Sequence, residues 1–447
     1  MGTVFDTREQ GVAGQIAIKV FVYAAAIVVL AEAIGPLAFK VGPGRVVLLP
    51  MIWALLMGAA IGLLSQRSNR RLSLDVPTQF YAAAVLQAAL LLFVAKLGLM
   101  IGSALPKLAS AGWALVFQEF GHFVGTILLG LPLALVLGIK REAIGATFSI
   151  GREPSLAIIG EKYGMDSAEG RGVLAEYLTG TVFGAVFIAV FAGFIASLNI
   201  FDPVALAMGS GVGSGSMMAA ASGAIAAQQS PEIAKVVLMF AAASNLITTT
   251  VGTYFTLFIS LPMAVWGYRV FEPVIGRTTR ASSTLDTTAD TRPKLGDVKT
   301  EAPTLSYSGK MLAWSITAGF ALVCDWIVHG MAPSEGLPGM ALMVATVVAG
   351  DVLCTATRRK LPAVCWVSFI AMFVTSPWCP FGAYFAELSA RNDFMGVVTP
   401  MLAFAGLSIA KDIPAFRRLG WRIVLVSLVA NAGTFLGATL VAQIFHV

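Results

Sequence analysis

Two short stretches interrupt an otherwise apolar chain with residue types that can bind an anion. Residues 146–164 read "ATFSIGREPSLAIIGEKYG" and place Arg152 and Glu153 between two apolar pieces that are each too short to cross a bilayer. Residues 208–227 read "MGSGVGSGSMMAAASGAIAA" and carry glycine and serine without charge. A guanidinium can grip a carboxylate in two places, and glycine lets a ligand approach the backbone. Since irregular backbone at membrane depth lies inside protein or lines a cavity, both stretches are predicted to be helix breaks at a substrate site.

Each stretch also carries a signal for the start of a helix. Pro154 suits the first position of a short helix over 154–163, and Ser216 suits the cap of the helix that follows it. The N–H groups and positive dipole ends of the two helices would then face each other across a cavity and attract an anion. A structural ion pair between Arg152 and Glu153, closing the hairpin, is the alternative. The predicted substrate-binding residues are Gly151, Arg152, Glu153, Ser155, Gly213, Ser214, Gly215 and Ser216.

A carboxylate and an imidazole inside an apolar span are candidates for ion coupling. In "FQEFGHFVG", Glu119 and His122 lie one turn apart on one face of a predicted helix. A buried carboxylate in lipid costs free energy, so Glu119 is predicted to bind a proton or Na⁺. Two structural alternatives are that Glu119 lies near the external interface, and that it stays neutral in a hydrogen bond with His122.

Uncharged oxygens at helical spacing add a predicted Na⁺ site. The serine, asparagine and threonine side chains of the run 233–265 are expected to face two threonines of an earlier helix, although such side chains also hold membrane helices together. The residues of this site are Thr179, Thr181, Ser244, Asn245 and Thr248. No cofactor is expected beyond Na⁺, because the four cysteines lack metal-ligand spacing. Asp325, His329 and Asp351 are interpreted as scaffold or interface residues.

The bulk composition assigns the chain to a class. It has 447 residues, of which 57% are hydrophobic and 12% charged, with a mean hydropathy of +0.82. A soluble protein would carry about a quarter charged residues. The chain is therefore predicted to be an all-α polytopic membrane protein, since its apolar runs can each cross ~30 Å of hydrocarbon. The eleven runs are 17–39, 46–64, 80–103, 113–139, 172–198, 233–265, 311–331, 338–356, 361–380, 393–410 and 422–445.

The basic residues lie mainly in short loops, where they set topology rather than bind nucleic acid. Placing these loops on the cytoplasmic side predicts a cytoplasmic N-terminus and an external C-terminus. Residues 276–306, rich in threonine, serine, aspartate and lysine, predict a flexible linker between two membrane halves.

Internal repetition gives the architecture. Residues 98–128 and 406–436 align without a gap and agree at nine of 31 positions, among them Gly125 with Gly433 and Thr126 with Thr434. By the charge rule the two copies run in opposite directions, so the repeat is inverted, as in many secondary transporters. The two interrupted stretches form a second, weaker repeat. We therefore expect eleven spans and two re-entrant helical hairpins that enter from opposite faces.

These residues resemble a known superfamily. "GLMIGSALPKLASAGW", leading through "KREAIGATFSIGREPSLAIIGEKYG" to "YLTGTVFGAVFI", resembles the core of the bile-acid/sodium symporters, glutamate/sodium symporters, sulfate-exporter-type and LrgB-type proteins. This resemblance covers about 98–265 and 406–447, and the whole chain is similar to the bacterial membrane family DUF3100. The second copy is permuted relative to that superfamily, because its interrupted segment precedes the linker.

The resemblance implies an elevator-type transporter in the bacterial inner membrane, with a mobile core, a scaffold and a possible homodimer. The implied domains are scaffold helices 1–97, a core over 98–271, a cytoplasmic linker over 272–310, scaffold helices 311–405, and a core helix over 406–447 that completes the inverted repeat.

Two functional classes follow. The first is secondary active transport of a small organic anion, a carboxylate or an amino-acid-like molecule, coupled to Na⁺ or H⁺. The second is an LrgB-like regulator or holin partner without a transport cycle. An enzyme is not expected, because the sequence has no HExxH, no GxSxG elbow with partners and no catalytic aspartate pair.

Overall fold

Helices make up nearly all of the regular structure in the computed structural model of the chain. The structure describes residues 7–41, 44–65, 74–103, 105–106, 112–151, 153–164, 167–250, 252–276, 305–358, 363–413 and 420–446. The predicted linker 276–306 lies almost entirely outside these residues. The flanking helices extend into the predicted linker domain 272–310, since one ends at Ile275 and the next begins at Tyr307.

Eight of the eleven apolar runs form helices that are long and apolar enough to cross a membrane. The described part of the chain thus has eight candidate membrane spans, as expected of a multi-pass helical membrane protein. The eight spans are Gly14–Ile34, Val76–Gly102, Trp113–Val136, Ala168–Ser197, Pro231–Thr249, Tyr307–His329, Pro333–Ala356 and Trp421–Phe445.

The other three runs form shorter or bent helices. The runs 46–64 and 361–380 contain Pro50–Ser65 and Ala363–Val374, which fall short of a full span. The run 393–410 is the second arm of a bent pair, Gly382–Ala390 and Phe394–Ile409, whose axes meet at 61°. A charged and amide-bearing turn between the two arms accounts for this bend, which the hydropathy pattern did not predict.

One short sheet departs from the all-α prediction. The helix that fills most of the run 17–39 ends at Ile34, before Gly35, whose φ of +69° lies in the left-handed region, and Pro36. The strands Leu37–Val41 and Gly44–Leu48 follow and form a two-stranded sheet.

The chain divides into two compact units. The first unit comprises Met1–Ala38, Val47–Pro106 and Glu301–Asp412, and the second comprises Phe39–Val46, Lys107–Thr300 and Ile413–Val447. Both interrupted stretches lie in the second unit, together with the last helix of the chain. The roles of core and scaffold remain predictions.

The helices of both units carry one common numbering along the chain. The helices up to the first interrupted stretch are α1 (Thr7–Ile34), α2 (Pro50–Ser65), α3 (Val76–Gly102) and α4 (Gly112–Val136). Those after the linker are α14 (Tyr307–His329), α15 (Pro333–Ala356), α16 (Ala363–Val374), α17 (Gly382–Ala390), α18 (Phe394–Ile409) and α19 (Trp421–His446).

Each interrupted stretch is a helix, a break, and a second helix, followed by a long helix. The first is made of α5 (Glu142–Thr147), α6 (Glu153–Tyr163), α7 (Ala168–Thr179), a π-helical turn (Gly180–Gly184) and α8 (Ala185–Ser197). The second is made of α9 (Pro203–Ser210), α10 (Gly215–Ala226), α11 (Pro231–Thr250), α12 (Gly252–Phe255), a π-helical turn (Thr256–Ser260) and α13 (Leu261–Ile275). The two predicted breaks are thus present as gaps between helices.

Helix α4 packs closely against α19. A Cβ on Gly121 would overlap the backbone carbonyl of Gly437, and a Cβ on Gly125 would overlap that of Gly433. Residue numbers rise along one helix as they fall along the other, so the two helices are antiparallel. The hydroxyls of Thr126 and Thr434, one residue further along each helix, share a hydrogen bond of 2.5 Å.

Candidate functional site

The first break comprises residues 148–151 and is buried in the core of the second unit. Phe148 is fully buried among apolar side chains that include Leu131, Ile159 and Leu261. Its carbonyl, which the end of α5 leaves without a helical partner, accepts a hydrogen bond from the Ser260 hydroxyl. The N–H of Gly151 donates to the Ser149 hydroxyl at 3.0 Å. These two backbone groups of the break are therefore paired with side chains of the second unit.

Helix α6 begins directly after the first break. It starts at Glu153, so Pro154 is its second residue, whereas the sequence predicted Pro154 as the first. Ser155 is fully buried, and its hydroxyl has no hydrogen-bond partner among the described residues. A Cβ on Gly151 would lie 3.0 Å from the hydroxyl oxygens of both Ser149 and Ser155. Two hydroxyls therefore flank the start of α6.

The charged pair Arg152 and Glu153, which marks this break in the sequence, lies only partly within the described residues. Arg152 lies outside the described residues, and of Glu153 only its position at the start of α6 is described. It remains a prediction that Arg152 binds a substrate carboxylate through two hydrogen bonds. The alternative, an ion pair between Arg152 and Glu153, remains a prediction as well.

The second break comprises residues 211–214. Gly213 has a φ of +97°, a conformation that side chains other than glycine rarely adopt. Ser214 caps α10, because its hydroxyl accepts a hydrogen bond from the N–H of Met217 at 3.3 Å. The prediction that Ser216 is the cap is therefore wrong. Helix α10 begins two residues earlier than expected, at Gly215, which places Ser216 in the first turn, 3.1 Å from the Ser214 hydroxyl.

Helix α11 holds the second break in place. The Ser244 hydroxyl donates to the carbonyl of Met208 at 2.7 Å. The Asn245 side-chain amide donates to the carbonyls of Gly211 and Gly213, at 2.8 and 3.4 Å. These contacts correspond to the helix-packing alternative for Ser244 and Asn245, because both side chains donate to protein carbonyls.

The two breaks lie side by side. A Cβ on Gly213 would lie 3.2 Å from Cδ1 of Ile150, so the side chain of the first break reaches the backbone of the second. Helix α6 begins three residues after Ile150, and α10 begins two residues after Gly213. The N-termini of both helices therefore start close to one point. Ser214, Gly215 and Ser216 are partly accessible there, although the following residues of α10 are buried.

Glu119 lies at the centre of a buried polar cluster on α4. Its side chain is 1% exposed. Its depth relative to the external interface, on which one alternative depends, stays a prediction. One carboxylate oxygen, Oε1, accepts hydrogen bonds from the Gln118 amide at 2.8 Å and from the Thr248 hydroxyl of α11. The structure thus brings Glu119 and Thr248 together from positions far apart in the chain.

The second carboxylate oxygen of Glu119 faces His122. Oε2 lies 3.5 Å from Nδ1 of His122, and the two atoms do not form a hydrogen bond. Oε2 and the two imidazole nitrogens are buried, and none of these three atoms has a hydrogen-bond partner among the described residues. A Cβ on Gly252 would lie 3.2 Å from Oε2. This arrangement leaves unpaired oxygen and nitrogen atoms where a proton or a small cation would be stabilised.

Asn245 and Thr248 join the break to this cluster. They are three residues apart on one face of α11. Asn245 donates to the Gly213 carbonyl and Thr248 donates to the Glu119 carboxylate, so this face contacts both the second break and the cluster. Helix α11 therefore connects the second break to the Glu119 carboxylate through two of its side chains.

The two remaining residues of the predicted Na⁺ site bond within their own helix. The Thr179 hydroxyl donates to the Ala175 carbonyl at 2.7 Å, and the Thr181 hydroxyl donates to the Tyr177 carbonyl at 2.8 Å. No group of three or more histidine, cysteine, aspartate or glutamate side chains in the described part of the chain could hold a metal ion.

Sequence reasoning did not single out several residues of the site. Gln118, Ser149 and Ser260 supply hydrogen bonds to Glu119 or to the first break. Each is a polar residue within an apolar run, a signal that was present in the sequence. Their partners, however, are set by packing between helices.

The comparison with known families places the chain in one of them. The profile of DUF3100, described as a protein family of unknown function, matches residues 29–270, more than half of the chain. The chain belongs to the DUF3100 family. No curated protein and no solved structure matches it. The matched region of this DUF3100 protein contains both breaks, Glu119 and α11.

Proposed function

We propose that this DUF3100 protein is a secondary active transporter of a small organic anion, coupled to H⁺ or Na⁺. The observation that carries the proposal is the junction of the two breaks. Two helix N-termini start beside the contact between Ile150 and Gly213, and α11 connects this point to the buried carboxylate of Glu119.

The substrate charge follows from the helix ends. The first turn of a helix presents N–H groups that have no helical partner, and its dipole places partial positive charge at the N-terminus. Helices α6 and α10 both direct such ends to the junction, which favours an anion such as a carboxylate. The hydroxyls of Ser155, Ser214 and Ser216 would donate hydrogen bonds to it, while Arg152 would add a cation.

The coupling ion is assigned to the cluster around Glu119. Oε2 of Glu119 and the imidazole of His122 are buried without hydrogen-bond partners among the described residues. A proton or Na⁺ bound there would neutralise the carboxylate. The bond from Thr248 and the bonds from Asn245 would link ion occupancy to the position of the second break.

The contact between α4 and α19 supports the inverted repeat. Gly125 and Gly433 are equivalent positions of the proposed repeat, and so are Thr126 and Thr434. Equivalent residues contact each other across an antiparallel helix pair, as expected near a pseudo-two-fold axis. In this proposal the second unit is the mobile core of an elevator and the first unit is its scaffold, in a bacterial inner membrane with the N-terminus cytoplasmic.

The test is carboxylate and amino-acid binding by the purified full-length protein, measured by thermal stabilisation with and without Na⁺. Ser155→Ala should fold with unchanged stability, because the hydroxyl makes no hydrogen bond among the described residues. It should bind the stabilising ligand at least tenfold more weakly, ~1.4 kcal/mol. Ser222→Ala is the matched control, since Ser222 is equally buried but donates to the carbonyl of Met218 in its own helix.

Two results would overturn the proposal. One is the absence of stabilisation by any member of the panel, and the other is equal ligand affinity in Ser155→Ala and the wild type. If a ligand binds but reconstituted vesicles accumulate none of it under a Na⁺ or H⁺ gradient, the LrgB-like regulator without a transport cycle is favoured.

A further inference from the structure

The first unit contains a helix break of its own, between α17 and α18. Helix α17 ends at Ala390 and α18 begins at Phe394, and their axes meet at 61°. Asn392 lies in this break and is 1% exposed. Its amide donates to the carbonyl of Gly336 at 3.2 Å, which joins the break to α15.

A buried lysine stabilises the end of α17. Lys96 of α3 is 3% exposed, and its ammonium donates to the carbonyls of Ser389 and Asn392, at 2.6 and 2.7 Å. The carbonyls at a helix C-terminus lack helical partners and carry partial negative charge. The positive charge of Lys96 therefore lies at the favourable end of α17.

A buried aspartate stabilises the start of α18. Asp325 of α14 is 1% exposed, and its carboxylate accepts hydrogen bonds from the N–H of Asp393 at 3.1 Å and from the Asn392 amide at 3.2 Å. Negative charge is favourable at a helix N-terminus. Lys96 and Asp325 thus balance each other across the break, each at the helix end that suits its charge.

Glu32 is a third buried ionisable group beside this break, and no lysine, arginine or histidine among the described residues forms an ion pair with it. It lies on α1 with 8% of its surface exposed, and its carboxyl interacts with the side chains of Thr399 and Cys324. The carboxylates that face it belong to Asp325 on α14 and Asp393 at the start of α18. Its Oε1 has no hydrogen-bond partner among the described residues.

The charges around Glu32 do not balance when it is ionised. Lys96 is committed to two carbonyls and offsets Asp325, so a charged Glu32 would be an extra buried anion next to two carboxylates. An unpaired buried charge is strongly disfavoured, and a bound proton removes that charge. With Glu32 protonated, the three buried groups Lys96, Asp325 and Glu32 are together neutral. Asp393 is not fully buried, because its side chain is 39% exposed, and its carboxylate lies 3.7 Å from Nε2 of His329.

We propose that Glu32 is an exchangeable proton-binding site in the first unit, protonated beside an ionised Asp325. The site is separate from the Glu119 cluster, which belongs to the second unit. It does not depend on the proposed transport activity. The proton comes from water and returns to water as the pH rises, so the site requires no other reactant.

Infrared spectroscopy of the purified full-length protein tests the proposal, because a protonated carboxyl absorbs at higher frequency than a carboxylate. At neutral pH the wild type should show a protonated-carboxyl band that Glu32→Gln lacks. Glu387→Gln is the matched control, since Glu387 lies on α17 with its side chain 73% exposed and should leave the band unchanged. Glu119→Gln should also retain the Glu32 band, which separates this proposal from the assignment of the coupling ion.

A second variant keeps the test decisive if Glu32→Gln fails to fold. Asp325→Asn removes a negative charge beside Glu32, so Glu32 should lose its proton at a lower pH than in the wild type. Infrared spectra of wild type with isotopically labelled glutamate carboxyls would follow the same band without a change at Glu32. A protonated-carboxyl absorption of undiminished intensity in folded Glu32→Gln, or a titration that does not move in Asp325→Asn, would overturn the proposal.

Discussion

The hydroxyl of Thr248 donates a hydrogen bond to the carboxylate of Glu119, joining α11 to α4 inside the second unit. Three residues earlier on α11, Asn245 donates to the carbonyls of the second break. One helix face therefore contacts both the predicted substrate site and the predicted ion site.

Thr248→Val should weaken both stability and ion binding. The substitution keeps the shape but leaves Oε1 of Glu119 with one donor fewer, so unfolding free energy should fall by about 1–3 kcal/mol. Stabilisation by Na⁺, or its pH dependence if the ion is a proton, should diminish as well. Thr249→Val is the control, because Thr249 donates to the Asn245 carbonyl of its own helix. Equal melting temperatures for the two variants would contradict the role of Thr248.

Asn245→Asp should destabilise the second break in a pH-dependent way. An ionised aspartate cannot donate to the carbonyls of Gly211 and Gly213, so stability should fall by about 3 kcal/mol. A protonated aspartate regains one donor, so the loss should shrink as the pH is lowered. Asn199→Asp provides the control, since Asn199 is exposed and has a φ of 53° that aspartate also tolerates. A loss of the same size at all pH values would contradict this account.

Gly125→Ala should be strongly destabilising. The new methyl group would overlap the carbonyl of Gly433, so α4 and α19 must move apart, at a cost of about 1–3 kcal/mol in unfolding free energy. Gly319→Ala is the matched change in a helix interior, since nothing lies within 4 Å of its Cβ position. It should stabilise by up to ~1 kcal/mol through helix propensity. Thermal unfolding should therefore shift in opposite directions for the two variants.

Lys96→Met should be among the most damaging single changes in the first unit. It leaves two buried carbonyls without their donor, and each unsatisfied buried acceptor costs about 1–3 kcal/mol in unfolding free energy. Lys235→Met on α11 should be nearly neutral, because Lys235 is exposed. Retention of wild-type stability in Lys96→Met would mean that Lys96 does not hold the break.

Glu119→Gln separates the two coupling ions. If a proton on Glu119 drives transport, the variant should lose uphill accumulation in vesicles but keep substrate exchange. If Na⁺ held by Asn245 and Thr248 alone drives transport, uptake should depend on Na⁺ and tolerate the change. If Na⁺ is held by the Glu119 carboxylate, uptake should depend on Na⁺ and be lost in the variant. The resemblance to sodium symporters favours Na⁺, so Na⁺-independent uptake by the wild type would count against it.

The sequence by itself determined the class of the protein and the positions of its breaks in the second unit. Eight of the eleven apolar runs form membrane-length helices, because crossing hydrocarbon requires about twenty apolar residues wherever the chain lies in the fold. Glycine, serine and charge in short apolar pieces likewise marked the gaps before Glu153 and Gly215, since these residues end helices locally. The cap of α10 was misplaced by two residues, because Ser214 and Ser216 are equally good caps by type.

Only the tertiary structure decided which of the polar residues meet. Thr248 and Glu119 are 129 positions apart, and Lys96 and Asn392 are 296 apart, so no local pattern relates them. The bend between α17 and α18 was missed for the same reason: its orphan carbonyls and N–H groups are satisfied by Lys96 and Asp325 from distant helices. Local propensity sets where a helix can end, but the buried partners that make such an end stable come from packing between helices.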